Sequence, residues 1–495
     1  MEKTLAPTRT LDISADEFRN AGHLLVDQLA RFLEDLPGKK VTSGETPSEI
    51  QSILGNQPLP VEGQDTSLVL GEAARMLFEH SLFNGHPRFW GYITSSAAPI
   101  GALADMLAAT LNPNVGAYTL SPMATEIERQ TIKWLAEFIG YNTDCGGIFV
   151  SGGNMANFTG FLAGRKNKIP YDIRKDGLLN NRFPIYCAKG THTWIQKAAD
   201  IFGHGTDSIR WIEAEANQQM NLKELERQII TDIERGFIPF MVVGNAGSVG
   251  TGVVDDLHEI AAICKNYDLW FHIDGAYGAP AAVLPEMTGL FKGLYKADSI
   301  AIDPHKWLYS PLEAGCILVK NNKHLHDAFD YNPEYYNFHG DGKYQPLNFH
   351  EYGMQNSRGF RALKVWLSLK QAGKNGISTM IRKDIDLAKS LASLVSGTPE
   401  LELKTQNLSI TTFRYSPEVP EGKNSFEYLN RLNENLLNHL QANGEIFLSN
   451  AIIEGNYCLR VCIVNFRTQY ADLEDLVRIV LREGRKLHSE LKTQV

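Results

Sequence analysis

The sequence predicts an α/β fold built on a mostly parallel sheet, with a helical segment before it and a small α+β domain after it. Two observations carry this reading. Between about residues 96 and 320, short apolar runs alternate with helix-like stretches, the pattern of strands joined by crossover helices. Beyond about residue 376, runs that alternate apolar and polar residues return among helices, as in antiparallel strands with one wet face. At 495 residues the chain exceeds one ordinary core, and its 43% hydrophobic residues suffice to build two or three. Three regions follow: 1–95, 96–375 and 376–495.

In the first region, Asp12 or Ser14 can cap a helix carrying Phe18, His23, Leu24, Leu25, Leu29 and Phe32, which ends at Pro37-Gly38. A second helix is expected at 48–54, then a linker at 55–63 interrupted by Pro and Gly. These helices have no sheet of their own and must dock on the main body or on a second subunit. In the second region the strand candidates are 147–150, 185–188, 240–244, 269–273, 299–302 and 315–319. Helices are expected at 155–165, 222–234 and 257–266. Residues 332–356 form a long loop rich in aromatics and breakers, the kind that serves as a lid, and a helix follows over 360–370. In the last region 409–415 and 457–465 read as strands, and 471–491 as an amphipathic helix.

With 48 basic against 57 acidic residues the formal charge is −9, so non-specific nucleic-acid binding is not expected. Cys145, Cys187, Cys264, Cys316, Cys458 and Cys462 form no CxxC pair and read as reduced core thiols of a cytoplasmic protein. The polar N-terminus lacks a signal-peptide pattern, and no run of about 18 apolar residues predicts a membrane span. No histidine and carboxylate cluster suggests a metal, and no GxSxG elbow is present.

The chemistry gathers where apolar runs end. Ser299-Ile-Ala-Ile-Asp-Pro-His-Lys-Trp-Leu308 leads a strand into Asp303, His305 and Lys306. Ligands of α/β sheets bind beyond the carboxyl ends of strands, and a lysine there can form a Schiff base, burial lowering its pKa to free the amine. Alone, such a lysine is more often a surface residue near a turn; its companions change the reading. Leu269-Trp-Phe-His-Ile-Asp-Gly-Ala-Tyr277 ends a second strand in Asp274, followed by small residues. A pyridine-ring cofactor needs an acid to keep its nitrogen protonated and small residues where the ring lies flat. Gly146-Gly-Ile-Phe-Val-Ser-Gly-Gly-Asn-Met-Ala-Asn157 runs from a strand through Gly152 and Gly153 into a helix, a junction suited to phosphate. Thr191-His-Thr-Trp194 puts His192 just after a strand, where it can stack on a flat ring. Gly247-Ser-Val-Gly-Thr-Gly-Val-Val-Asp255, with Ser248, has the wrong spacing for a dinucleotide loop and reads as a strand-end loop lining the pocket.

These residues resemble the group II pyridoxal-phosphate (PLP) dependent amino-acid decarboxylases, the family of aromatic-L-amino-acid, histidine and glutamate decarboxylases. The resemblance is nearest to bacterial relatives of the aromatic-amino-acid enzymes. It rests on Asp303-Pro-His-Lys-Trp307, His272-Ile-Asp-Gly-Ala-Tyr277, Thr191-His192, His86-Pro-Arg-Phe89, Ser121-Pro-Met-Ala-Thr-Glu126 and Ser357-Arg-Gly-Phe-Arg-Ala-Leu-Lys364, in the family's order. It implies fold type I of PLP enzymes: a seven-stranded, mostly parallel large domain, a small α+β C-terminal domain, and an N-terminal helical segment that wraps a partner in a homodimer. It implies Lys306 as Schiff base, Asp274 on the pyridine nitrogen, His192 stacked on the ring and Ala276 on its other face. Gly152, Gly153, Asn154, Ser248, Asp303 and His305 would complete the cofactor set. The implied reaction is decarboxylation of an L-amino acid, with aromatic substrates favoured, the substrate amine displacing Lys306.

For the substrate, His86, Trp90, Tyr92 and Arg358 are the candidate contacts, with Tyr118 a further aromatic; Arg88 could meet an acidic side chain or be structural. The sequence departs from the family in two places. Asn154 stands where a hydroxyl residue is common, and its amide can still donate to phosphate. Counting back from Arg358 without gaps, the catalytic tyrosine of animal relatives falls on Phe349, and a small gap brings Tyr344 or Tyr352 there instead. In plant relatives phenylalanine at that position accompanies aldehyde formation. The proton donor to the α-carbon is thus left among Tyr344, Tyr352 and His192.

Overall fold

The computed structural model describes residues 11–179, 182–331, 346–422 and 424–493. The large domain holds β1 (Gly146–Val150), β2 (Ile185–Ala188), β3 (Ile209–Ile212), β4 (Met241–Asn245), β5 (Trp270–Asp274), β6 (Ser299–Ile302) and β7 (Gly315–Val319). They form one seven-stranded sheet in the order β1-β7-β6-β5-β4-β2-β3. Only β7 runs against the rest, pairing antiparallel with β1 and β6. Every residue of β1, β2 and β4 to β7 is buried, which is why these strands read as unbroken apolar runs. The edge strand β3 was not expected: half-exposed Arg210 and Trp211 interrupt its apolar run.

β5 and β6 lie side by side and parallel, with Asp274 opposite Ala301. The connection between them runs through 3-10 turns, at Ala279–Val283, Pro285–Met287 and Leu294–Lys296, and not through an α-helix. Pro280 and Pro285 bring no N–H to a helical ladder. The carboxyl ends of β1, β2, β4, β5 and β6 therefore share one edge of the sheet, and the glycine turn, His192, Asn245, Asp274 and Lys306 follow from them.

The helix Ala362–Ser396 is broken at Gly373, with φ +65°, just before the expected domain boundary. The small domain carries β8 (Leu401–Asn407), β9 (Ile410–Tyr415), β10 (Ser449–Ile453) and β11 (Asn456–Cys462) in the order β10-β11-β9-β8, all antiparallel. The helices Ser425–Asn443 and Tyr470–Thr493 pack together and share its core.

The first region holds α1 (Ala15–Asp35), α2 (Pro47–Leu54) and α3 (Thr66–His80), and α4 (Pro99–Leu111) opens the second. Ser14 caps α1, Thr46 and Glu49 form a capping box on α2, and Asp65 caps α3. Phe32 stacks on Phe78 at 4.7 Å and pins α1 to α3. The stretch that follows docks on the small domain, Trp90 N donating to the Phe447 carbonyl at 2.8 Å. Yet Ala21 is the only buried residue of α1, and Phe18, Leu24, Val26, Leu29, Leu103, Met106 and Leu107 stay exposed. All six cysteines are free thiols. Among the described residues, no helix is long and apolar enough to cross a membrane.

Candidate active site

The site lies in a cavity of about 790 Å³ at the carboxyl edge of the sheet. Beyond β6 the chain turns tightly, Lys306 N donating to the Asp303 carbonyl at 2.8 Å. The turn also brings Lys306 Nζ to 2.9 Å from Asp303 Oδ2. Asp303 is buried, and its other oxygen, Oδ1, has no hydrogen-bond partner among the described residues. Burial acts to lower the Lys306 pKa, but the Asp303 and Asp274 carboxylates outweigh it and hold the ammonium above the ordinary lysine value. This corrects the expectation that burial frees the amine: two carboxylates win over desolvation.

Asp274 ends β5 and is held from both sides. Trp194 Nε1 donates to Oδ2 at 2.8 Å, and the Ala276 amide donates to Oδ1 at 3.2 Å. One strand position below on the same face, His272 lies between Asn157 Oδ1 at 2.7 Å and Ser299 Oγ at 2.8 Å. Burial pushes it down to about 4, so it stays neutral under Asp274. Trp194 meets its ring edge-on at 5.5 Å. His192 lines the cavity and accepts from the Trp194 amide through Nδ1 at 3.2 Å. Desolvation lowers its pKa against the pull of Asp274, which keeps the ring largely neutral at neutral pH.

Gly152 and Gly153 form the floor. Gly152 has φ +132°, a conformation side chains rarely adopt, and a Cβ on Gly153 would lie 2.5 Å from Asp303 Oδ2. The helix Gly153–Lys168 starts there, so its first amide groups face the cavity that Ser151, Gly152, Gly153 and Asn154 line. Ala276 and His305 line it too, His305 donating through Nδ1 to the Ala314 carbonyl at 2.7 Å. The arrangement fits PLP: the glycine cradle has room only for backbone, Asp303 keeps an unused buried acceptor, and a lysine and a carboxylate face one space. Lys306 would hold the aldehyde carbon, Asp274 the ring nitrogen, and the Gly152–Asn154 turn the phosphate.

Several expected site residues lie elsewhere. The Ser248 hydroxyl pairs with Thr251 Oγ1 at 3.0 Å, and its neighbours Gly247 and Val249 line the cavity instead. His86 is bound by the Lys39 carbonyl and the Arg88 amide, each at 3.0 Å. Trp90 sits in the small-domain core and donates to Thr468 Oγ1. Tyr92 is 60% exposed beside Phe447. Arg88 pairs with Asp472 and Asp475. Arg358 is buried, pairs with Glu128 and donates to the Val115 and Phe149 carbonyls at 2.7 and 2.8 Å. His86, Trp90, Arg88 and Arg358 are engaged in packing, hydrogen bonds or ion pairs, and neither they nor the exposed Tyr92 line this chain's own cavity, which corrects their reading as substrate contacts there. Phe349 is buried against Arg358, 4.8 Å from ring centroid to guanidinium carbon. Tyr352 lies edge-on to His326, and the 3-10 turn Phe349–Tyr352 lines no part of the cavity. The expected lid is thus packed over residues 346–356, while Tyr344 and the rest of 332–345 lie outside the described residues. Conversely, Trp194, Asn157 and Asn245 carry more of the site than their residue types announced. An indole N–H that must be buried is the one sequence signal for Trp194.

A lysine, an acid and a glycine cradle at the carboxyl edge of this sheet define the class: an enzyme that holds PLP through a lysine. Comparison with known proteins narrows it. The pyridoxal-dependent decarboxylase conserved domain matches residues 47–416. The aromatic-L-amino-acid decarboxylase of Bacillus atrophaeus is 32% identical, over 96% of each chain. The phenylacetaldehyde synthase of a Rosa hybrid cultivar is 27% identical, over 92% of this chain and 91% of that one. The crystal structure of Oryza sativa TDC with PLP and tryptamine superposes with a TM-score of 0.90 at 22% identity, covering 97% and 100% of the two chains. The chain belongs to the pyridoxal-dependent decarboxylases, and it is a PLP-dependent amino-acid decarboxylase.

Two outcomes are expected. Arg358→Ala leaves Glu128 buried without its guanidinium partner, so chemical denaturation should show a loss of about 3–5 kcal/mol. Only neutral Lys306 can attack the cofactor aldehyde, and its raised pKa leaves little of that form at neutral pH. Stopped-flow absorbance should therefore show PLP loading of the cofactor-free chain speeding up by about tenfold per pH unit between about pH 7 and 9. A rate independent of pH contradicts the ion pair.

Proposed function

We propose that this chain decarboxylates aromatic L-amino acids to the corresponding amines and carbon dioxide, working in the cytoplasm as a homodimer. The observation that carries this reading is Lys306 set between Asp303 and Asp274 over a glycine cradle, in a cavity that no arginine lines among the described residues. Met155, Val249, Tyr277, Ile93 and Leu312 give that cavity apolar walls suited to a ring. An acidic side chain would ask for a free guanidinium, and Arg88 and Arg358 are both paired. The 32% identity to an aromatic-L-amino-acid decarboxylase agrees.

When bound, PLP supplies the electron sink that takes up the electron pair left by departing carbon dioxide. The residues do the rest. Asp274, fixed by Trp194 Nε1 and the Ala276 amide, presents a carboxylate that keeps the ring nitrogen protonated. Lys306, when not bonded to the cofactor, would pair with Asp303, which stabilises an ammonium at Nζ that can hold the proton brought in by the substrate's ammonium group. His192 is oriented through Nδ1, so its proton lies on Nε2; passing that proton to the α-carbon would need the Lys306 ammonium to replace it, which leaves the imidazole neutral and the lysine amine free to release the product.

A second reading, decarboxylation with oxidative deamination to an aldehyde, has one observation in its favour. Phe349 occupies the position counted for the family's tyrosine and buries a ring without a hydroxyl. The 27% identity to a phenylacetaldehyde synthase fits it.

A screen of L-amino acids separates the two. Phenylalanine, tyrosine or tryptophan should yield amine and carbon dioxide in equal amounts, and His192→Gln should lower kcat by about 100-fold or more. Ammonia and peroxide in place of amine would establish the second reading. The exposed apolar side chains of α1 and α4 form the surface expected to bind the partner subunit. Light scattering should therefore give a dimer mass, and Leu24→Asp with Leu29→Asp should shift it toward the monomer; a monomeric wild type would refute this assignment.

A further inference from the structure

The helix Ala362–Ser396 carries a carboxylate where packing alone would favour an apolar residue. Asp384 is fully buried, and among the described residues no lysine, arginine or histidine stands within ion-pair distance. Burial pushes its pKa up to about 7, while hydrogen bonds from Tyr309 and Trp307, the Lys383 charge and the Asn465 backbone act to lower it. Such a group weakens the fold unless its hydrogen bonds serve a purpose, so its partners identify that purpose. Its two side-chain donors follow the cofactor lysine by one and three residues. Trp307 Nε1 donates to Asp384 Oδ2 at 2.9 Å, and Tyr309 Oη donates to the same oxygen at 2.7 Å.

Two further features show that this turn needs holding. Tyr309 has φ +55°, a left-handed conformation unfavourable for a side-chain-bearing residue, which persists only where the surroundings over-determine it. Its amide donates back to the Lys306 carbonyl at 3.2 Å, so relaxation at Tyr309 would move the lysine's own peptide. Trp307, fixed at its nitrogen by Asp384, stacks on Tyr277 at 4.9 Å and 12°, and Tyr277 is a wall of the cavity. One oxygen thus ties the helix that leads into the small domain to two residues of the turn that follows the lysine, the strained Tyr309 among them.

We infer that Asp384 is the positioning residue of the Lys306 turn: acting through Trp307 and Tyr309, it holds the backbone from which the lysine reaches the cofactor. The inference rests on Lys306 being the anchor. Asp384 lines no part of the cavity, so its loss should disturb the alignment of the lysine more than substrate affinity.

The test uses the full chain loaded with PLP. Borohydride reduction and peptide mapping first locate the anchor; a label away from Lys306 overturns both this inference and the reading it rests on. With the label on Lys306, Asp384→Asn, Trp307→Phe, Tyr309→Phe and the double variant D384N/W307F are compared. The readouts are thermal midpoint, KM, kcat, and the pH midpoint of the visible absorbance of the lysine-linked cofactor. Asp384→Asn should keep KM within about threefold, lower kcat by about 10- to 100-fold and move that pH midpoint. The double variant should be no worse than the poorer single one, because both break the same link. If Asp384→Asn does not fold, Tyr309→Phe, which removes one donor and keeps the carboxylate, should still lower kcat and move the midpoint. Variants that lower only the thermal midpoint, or whose effects on kcat simply add, overturn the inference and leave Lys306 standing as the anchor.

Discussion

The site depends on one electrostatic arrangement: a lysine at the edge of a parallel sheet, with two carboxylates close enough to outweigh its burial. Asp303 and Asp274 arrive there because β5 and β6 are adjacent, parallel and in register, so that the residues following them emerge on the same side. Desolvation alone would release a proton from Lys306; the carboxylates keep it. The same charges must then be managed themselves. Asp274 has an indole and an amide, Asp303 has Lys306, and neutral His272 beneath adds no competing charge. The glycines are part of this economy of space, since a Cβ on Gly153 would collide with Asp303.

The rest of the fold keeps that edge rigid. The buried Glu128 and Arg358 pair ties the helix Pro122–Phe138 to β1, the strand that feeds the glycine turn, through the Phe149 carbonyl and amide. It also fixes Phe349, and with it the turn that continues the expected lid. Asp384 ties the lysine turn to the helix that leads into the small domain. The N-terminal stretch clasps the small domain through Trp90 and Phe89, while α1 and α4 present apolar faces outward.

Much of this was legible in the sequence, for physical reasons. Strands buried on both faces read as apolar runs, and 185–188, 299–302 and 315–319 coincide with β2, β6 and β7. β3 escaped because an edge strand keeps Arg210 and Trp211 half exposed, and β8 because six of its seven residues are only half-buried. At the site, Lys306, Asp274, His192 and the glycine turn were readable because each follows a strand end, where chemistry gathers. His86, Trp90, Tyr92 and Arg358 misled because a polar or aromatic residue inside a family motif can be there to hold the frame. Their partners, Lys39, Thr468, Phe447 and Glu128, are remote in sequence, and periodicity carries no trace of such pairings. The pKa of Lys306 was misread for the same reason: burial is visible in an apolar run, but the distance to a carboxylate is not.

The most direct test of this account is the proton affinity of Lys306 itself. Competitive labelling of the cofactor-free chain across pH, read by mass spectrometry at the Lys306 peptide, measures it in wild type and in Asp303→Asn. The account predicts a wild-type pKa above that of an ordinary exposed lysine, and a clear fall in Asp303→Asn as burial takes over. A wild-type Lys306 that titrates below an ordinary lysine, with no change on removing the Asp303 charge, would contradict it.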